Sequence, residues 1–109
     1  MTTITVYSTA GHITGFEAKG HSGYAAAGGD IVCAAVSALT QTAYLGLVEY
    51  VSPETQVRQK GGALRVTLPN GLSEGQREKA ELILGTMLLG LRSAEENYSD
   101  YLKIVKKEV

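Results

Sequence analysis

A chain of 109 residues, 44% hydrophobic and 19% charged, has room for one domain with a real core and none for two. Its formal net charge of −1 gives no electrostatic case for a direct nucleic-acid partner, which ordinarily meets a basic face. The single cysteine excludes an internal disulfide, so the fold does not depend on an oxidising compartment.

The opening MTTITVYSTAGHI lacks the basic n-region and apolar stretch of a signal peptide. Within it, Thr3–Ser8 is β-branched and alternating, which predicts a strand. Thr9–His12 reads as a turn and Ile13–Lys19 as a second strand, with Ile13, Phe16 and Ala18 toward the core. A slip in the alternation near Gly15 suggests a bulge. The hairpin would deliver His21 to a strand end, with Gly20 freeing the backbone before it.

Gly23–Gly29 reads as a loop, its alanines fenced by Gly23, Gly28 and Gly29. Asp30 suits the N-cap of a long helix from Ile31 to about Tyr50. Val32, Ala35, Val36, Leu39, Ala43, Gly46 and Leu47 share its core-facing arc; Cys33, Ser37, Thr40 and Tyr44 lie on the shoulder. The apolar run Ile31–Val48 is broken by Ser37, Thr40, Gln41 and Thr42, so it reads as a buried helix rather than a membrane span. A cytoplasmic protein with no membrane partner is the expectation.

Ser52-Pro53 stops the helix. Gln56–Lys60 and Ala63–Leu68 flank Gly61-Gly62, a hairpin signal. Ser73 to Gln76 fits a capping box for a second helix ending near Asn97, with Ala80, Ile83, Leu84, Met87, Leu88 and Leu91 as its apolar stripe. Leu82 and Leu89 lie on the opposite side, as a dimer surface or as further burial within the subunit. Gly85 and Gly90 each cost ~1 kcal/mol inside a helix, which close packing would offset. Tyr101–Lys106 closes the chain as a strand. The order ββ-α-ββ-α-β predicts one α+β domain over residues 1–109: an antiparallel or mixed sheet from two hairpins plus a C-terminal strand, covered by two long helices.

Chemistry concentrates between Gly20 and Ser37. With Asp30 as the cap, Cys33 falls in the first turn, where the positive helix start favours a thiolate and unpaired amides could hold an oxyanion. The competing reading makes Cys33 a small packing residue. His21 is the candidate base; His12, in the hairpin turn, is its rival. Asp30 caps the helix and could also orient His21. Ser37, one turn beyond Cys33, could contact substrate or bond back to the helix. Gly20, Gly23, Gly28 and Gly29 would let the loop move. One cysteine and two histidines lack any zinc spacing, and no phosphate-loop lysine is present, so no metal or cofactor is expected.

The run GHSGYAAAGGDIVCAAVS, through Gly20, His21, Gly28 or Gly29, Asp30, Ile31, Val32, Cys33, Ala34, Ala35, Val36 and Ser37, resembles the signature of the ribosomal-processing cysteine protease (Prp) family. The resemblance implies a homodimeric α+β enzyme with Cys33 as nucleophile and His21 as base. It implies removal of the N-terminal extension from the precursor of the twenty-seventh large-subunit ribosomal protein, cut after aromatic residues and before a small one. Asp30 and Ser37 match positions tied to the active site. The competing expectation is a non-catalytic ribosome-assembly factor that binds a ribosomal protein; a redox-sensing thiol lacks a resolving cysteine.

Overall fold

The computed structural model describes residues 1–20 and 27–109, with side chains for 1–20 and 31–109. Strands β1 (Thr2–Thr9) and β2 (His12–Lys19) pair antiparallel across a tight turn in which Ala10 (φ +52°) and Gly11 (φ +81°) are both left-handed. Two left-handed central residues match the right-handed twist of the strands they join. Tyr7 pairs with Gly15 and Ser8 with Ile13, so Thr14 is an extra residue and β2 bulges there, beside the Gly15 where the alternation slips. Thr14 Oγ1 donates to the Tyr7 carbonyl at 3.4 Å, and the Thr14 carbonyl accepts from Leu68 N–H at 2.9 Å.

Helix α1 (Ala27–Tyr50) leads to β3 (Gln56–Lys60) and β4 (Ala63–Thr67), whose turn places Gly61 and Gly62 at positive φ. Helix α2 (Glu74–Asn97) then leads to β5 (Leu102–Glu108). The sheet order is β3-β4-β2-β1-β5, antiparallel throughout except for β1 and β5, which run parallel. A parallel neighbour needs a crossover, and α2 supplies it between β4 and β5. The expected two hairpins, C-terminal strand and covering helices are all present, and the sheet is mixed.

One face of the sheet meets both helices. Ile4, Val6, Phe16, Ala18, Val66 and Leu102 point into it; Val32, Val36, Ala43 and Leu47 of α1 and Ala80, Leu84, Met87, Leu88 and Leu91 of α2 answer them. Phe16, Ile4, Leu47, Leu84 and Leu91 are fully enclosed, each contributing about 1.5–3 kcal/mol of burial. By length and composition Ile31–Tyr50 would also cross a membrane, but its apolar arc is spent on this core. Thr40, 1% exposed, satisfies its hydroxyl by donating to the Val36 carbonyl at 2.7 Å.

The expected capping box forms: Gln76 N–H donates to Ser73 Oγ at 3.1 Å, and Ser73 N–H to Gln76 Oε1 at 2.8 Å. The Gln76 amide also donates to the Val51 carbonyl at 2.9 Å, so one residue caps α2 and ties it to the end of α1. The helices touch at two glycines. Gly46 faces the Ile83 side chain, and a Cβ on Gly90 would lie 3.1 Å from Leu39 Cδ2. Close packing therefore accounts for Gly90; around Gly85 there is open space.

Candidate active site

The helix that carries the thiol starts earlier than its side-chain signals suggest. Helix α1 begins at Ala27, so Gly28 and Gly29 are helical rather than loop, and Asp30 is an interior residue rather than the N-cap. The reason is energetic: alanine is the strongest helix former, and two glycines at ~1 kcal/mol each do not stop a helix anchored by a long apolar arc. Cys33 becomes the seventh residue of α1, about 9 Å along the axis from its first. The field of a helix start fades within the first turn, and the unpaired amides belong to that turn. The helix end therefore loses its expected place as oxyanion donor and as the main support of a thiolate at Cys33.

The packing alternative for Cys33 fails. Its side chain is exposed, on the shoulder between the core arc and solvent. It opens on a groove of ≈ 440 Å³. Cys33, Val36, Ser37, Thr40 and Gln41 of α1 form one wall, and Gln59 to Leu64 of the β3–β4 hairpin form the other. Ala18 and Gly20 at the end of β2, with Thr2, close it between them. Val36, Ala18 and Leu64 make an apolar floor, while Ser37, Gln41 and Lys60 offer polar and charged contacts. The Gly61-Gly62 turn brings backbone to the rim without side chains. This is a channel suited to an extended chain, with an exposed sulfur on its wall.

Gly20 and Cys33 line the same groove, although thirteen positions separate them in the sequence. Gly20 turns the chain out of β2 with φ +94°, packed against the Met1 carbonyl. His21 and Gly23 lie outside the described residues, as does the Asp30 side chain. The rival histidine is removed by position. His12 opens β2, which Lys19 ends next to Gly20; seven strand steps put it roughly 23 Å from the groove end. It stands exposed at the opposite end of the strands, near Arg77 and Glu81. Ser37 is brought to the groove with Cys33.

Thr40 lines the groove too, on the shoulder it shares with Cys33 and Ser37. Lys60, Gly61 and Gly62 are groove residues that sequence reasoning did not find, because only the sheet order carries the β3–β4 turn back to the flank of α1.

Comparison with known proteins gives a consistent direction. The family model described as "Cysteine protease Prp" matches residues 1–103. A Bacillus subtilis protein named "Ribosomal processing cysteine protease Prp" is 31% identical over 94 residues, spanning 84% of each chain. A Staphylococcus aureus protein of the same name is 30% identical over 97 residues, 86% of this chain and 87% of the relative. The crystal structure of an essential ribosomal processing protease Prp from S. aureus, in complex with a covalently linked product peptide, superposes with a TM-score of 0.81 at 26% identity. That match covers 98% of this chain and 100% of the other. SMU.848 from Streptococcus mutans superposes at 0.80 with 25% identity, over 100% and 96% of the two chains.

Proposed function

The chain is a cysteine protease of the ribosomal-processing Prp family, and we propose that it removes the N-terminal extension of a large-subunit ribosomal protein precursor, the twenty-seventh of the set, with Cys33 as nucleophile and His21 as base. The observation that carries this reading is the shared groove: Cys33 is exposed on one wall, and Gly20, the residue before His21, lines the same space. The far position of His12 and the peptide-bound relative of the same fold support it.

The imidazole of His21 takes the thiol proton, or holds sulfur and ring as an ion pair. The sulfur attacks the scissile carbonyl carbon, forming a C–S bond and an oxyanion. Collapse breaks the C–N bond, and the imidazolium returns its proton to the leaving amine. Water then hydrolyses the thioester and frees the thiol. Ser37 contacts the bound peptide from the groove wall, and Asp30 is assigned the second role of orienting His21. The apolar floor of Val36, Ala18 and Leu64 takes the aromatic side chain before the cut. The enzyme works in the cytoplasm as a homodimer and needs no metal or cofactor.

The test incubates purified protein with a synthetic peptide spanning the extension and the first mature residues, read by mass spectrometry. Wild type cuts once, after an aromatic residue. Cys33→Ala and His21→Ala lose turnover by at least about a thousandfold. Undiminished cleavage in Cys33→Ala overturns the assignment of the nucleophile. No cleavage by wild type, with the peptide still bound, favours the non-catalytic assembly factor.

A further inference from the structure

The helices cover one face of the sheet, and among the described residues nothing covers the other. Pairing registers place its side chains in three rows across the strands. The first holds Lys60 and Ala63, then Lys19, Thr3 and Lys103. The second reads Arg58, Arg65, Glu17, Thr5 and Val105, and the third Gln56, Thr67, Gly15, Tyr7 and Lys107. Six of the chain's ten lysines and arginines stand here, against one of its eleven carboxylates. All six cations are exposed. The net charge of −1 conceals this segregation, because acids such as Glu74, Glu78, Glu95 and Glu96 sit on the helix layer.

Two details point to an anionic occupant. Arg58 and Arg65 are direct cross-strand partners, a like-charge pairing that costs stability; Glu17 flanks Arg65 on its other side, and Arg58, on the edge strand β3, has no carboxylate across from it. Arg65 also lies over the Tyr7 ring, 4.7 Å from its centroid, reaching two strands across where Gly15 leaves the face bare. A guanidinium placed over an aromatic ring offers two groups on which a nucleobase can stack. Threonine hydroxyls at positions 3, 5 and 67 add hydrogen-bonding groups between the cations. The face lacks the apolar, charge-depleted centre of a protein interface.

We infer that this open sheet face binds the phosphate backbone of single-stranded RNA, with the Tyr7–Arg65 pair as its stacking platform. The row Lys60–Lys19–Lys103 spans about 19 Å across the strands and adjoins the groove end of the sheet. A protease docked through it would meet its peptide beside RNA. The inference stands apart from the cleavage reaction.

The experiment is fluorescence anisotropy with a labelled RNA about twenty nucleotides long, from about 50 to 200 mM salt. Wild type binds, and log K falls against log salt with a slope steeper than about −2. The variant R58Q/K103Q/K107Q, which leaves the groove untouched, weakens binding at least about tenfold and flattens the slope by about 2, at ~0.7 per lost cation. Peptide cleavage by that variant stays at the wild-type rate and reports its folding; R58K/K103R/K107R retains binding. No anisotropy change at the lowest salt, or equal binding by the neutralised variant, overturns the proposal. So does displacement of the RNA by oligo-glutamate at equal charge concentration, which would assign the face to an acidic protein.

Discussion

Gly20 approaches the backbone of Met1 so closely that no side chain fits between them: a Cβ built on it would lie 2.6 Å from the Met1 carbonyl oxygen. Its φ of +94° is independently hostile to an L side chain. The contact fixes the point from which the chain leaves β2 for position 21. Gly20→Ala must either push β1 away or turn the chain elsewhere, at a cost of ~1–3 kcal/mol. The expected result is a lower Tm together with a fall in kcat/KM on the precursor peptide. Unchanged melting and unchanged turnover would refute the constraint.

Two interior glycines of α2 give opposite expectations. Gly85 faces open space, so Gly85→Ala gains helix propensity with nothing to displace, and urea unfolding should show about 0.5–1 kcal/mol more stability. At Gly90 the same change puts a methyl 3.1 Å from Leu39 Cδ2. The leucine must shift by a few tenths of an ångström against the Cys33-bearing helix, which offsets the propensity gain. Gly90→Ala should therefore be less stable than Gly85→Ala. The reverse order would mean that the helix crossing has slack at Leu39.

Most of the architecture was legible because local signals and tertiary needs coincide. Alternation marked the strands, Gly61-Gly62 marked the hairpin, and Ser73 with Gln76 marked the start of α2. The start of α1 is not legible because Asp30 and the paired glycines look like a boundary, whereas Ala27 to Asp30 already belong to the helix. The earlier start matters for chemistry, since it moves Cys33 out of the first turn. Sheet order was not legible at all. Arg58, Arg65, Lys103 and Lys107 can each be seen to alternate with inward residues. That they share a face with Lys19 and Lys60 follows only from the order β3-β4-β2-β1-β5.

Helix α2 also grips the sheet through two carboxylates. Glu81 Oε1 accepts from Ile13 N–H at 2.9 Å, beside the bulge, and Glu95 Oε2 accepts from Ile104 N–H at 2.9 Å on the edge strand β5. Each backbone donor is partly shielded from water and loses its partner if the carboxylate is removed. Glu81→Ala and Glu95→Ala should each destabilise by ~1–2 kcal/mol, with Gln at either position recovering much of the loss. Chemical denaturation of the four single variants measures this. Alanine and glutamine variants of equal stability would show that the bonds contribute nothing.

Leu82 and Leu89 are each 72% exposed on the outer side of α2, so burial within the subunit does not explain them. The contacts of Gly46 with Ile83 and of Gly90 with Leu39 show that the two helices run antiparallel. Leu45 of α1, 63% exposed, therefore lies about two residues along the axis from Leu82. Three exposed leucines on one helix layer make the apolar strip that the proposed homodimer would bury, at about 1.5–3 kcal/mol for each side chain enclosed. The double variant Leu82→Glu and Leu89→Glu should convert dimer to monomer in sedimentation equilibrium, because it places like charges across a two-fold contact. It should leave the RNA-facing sheet and the fold intact, as read by circular dichroism. A variant that keeps the wild-type mass would place the dimer contact on another surface; a wild type that sediments as a monomer would remove the dimer.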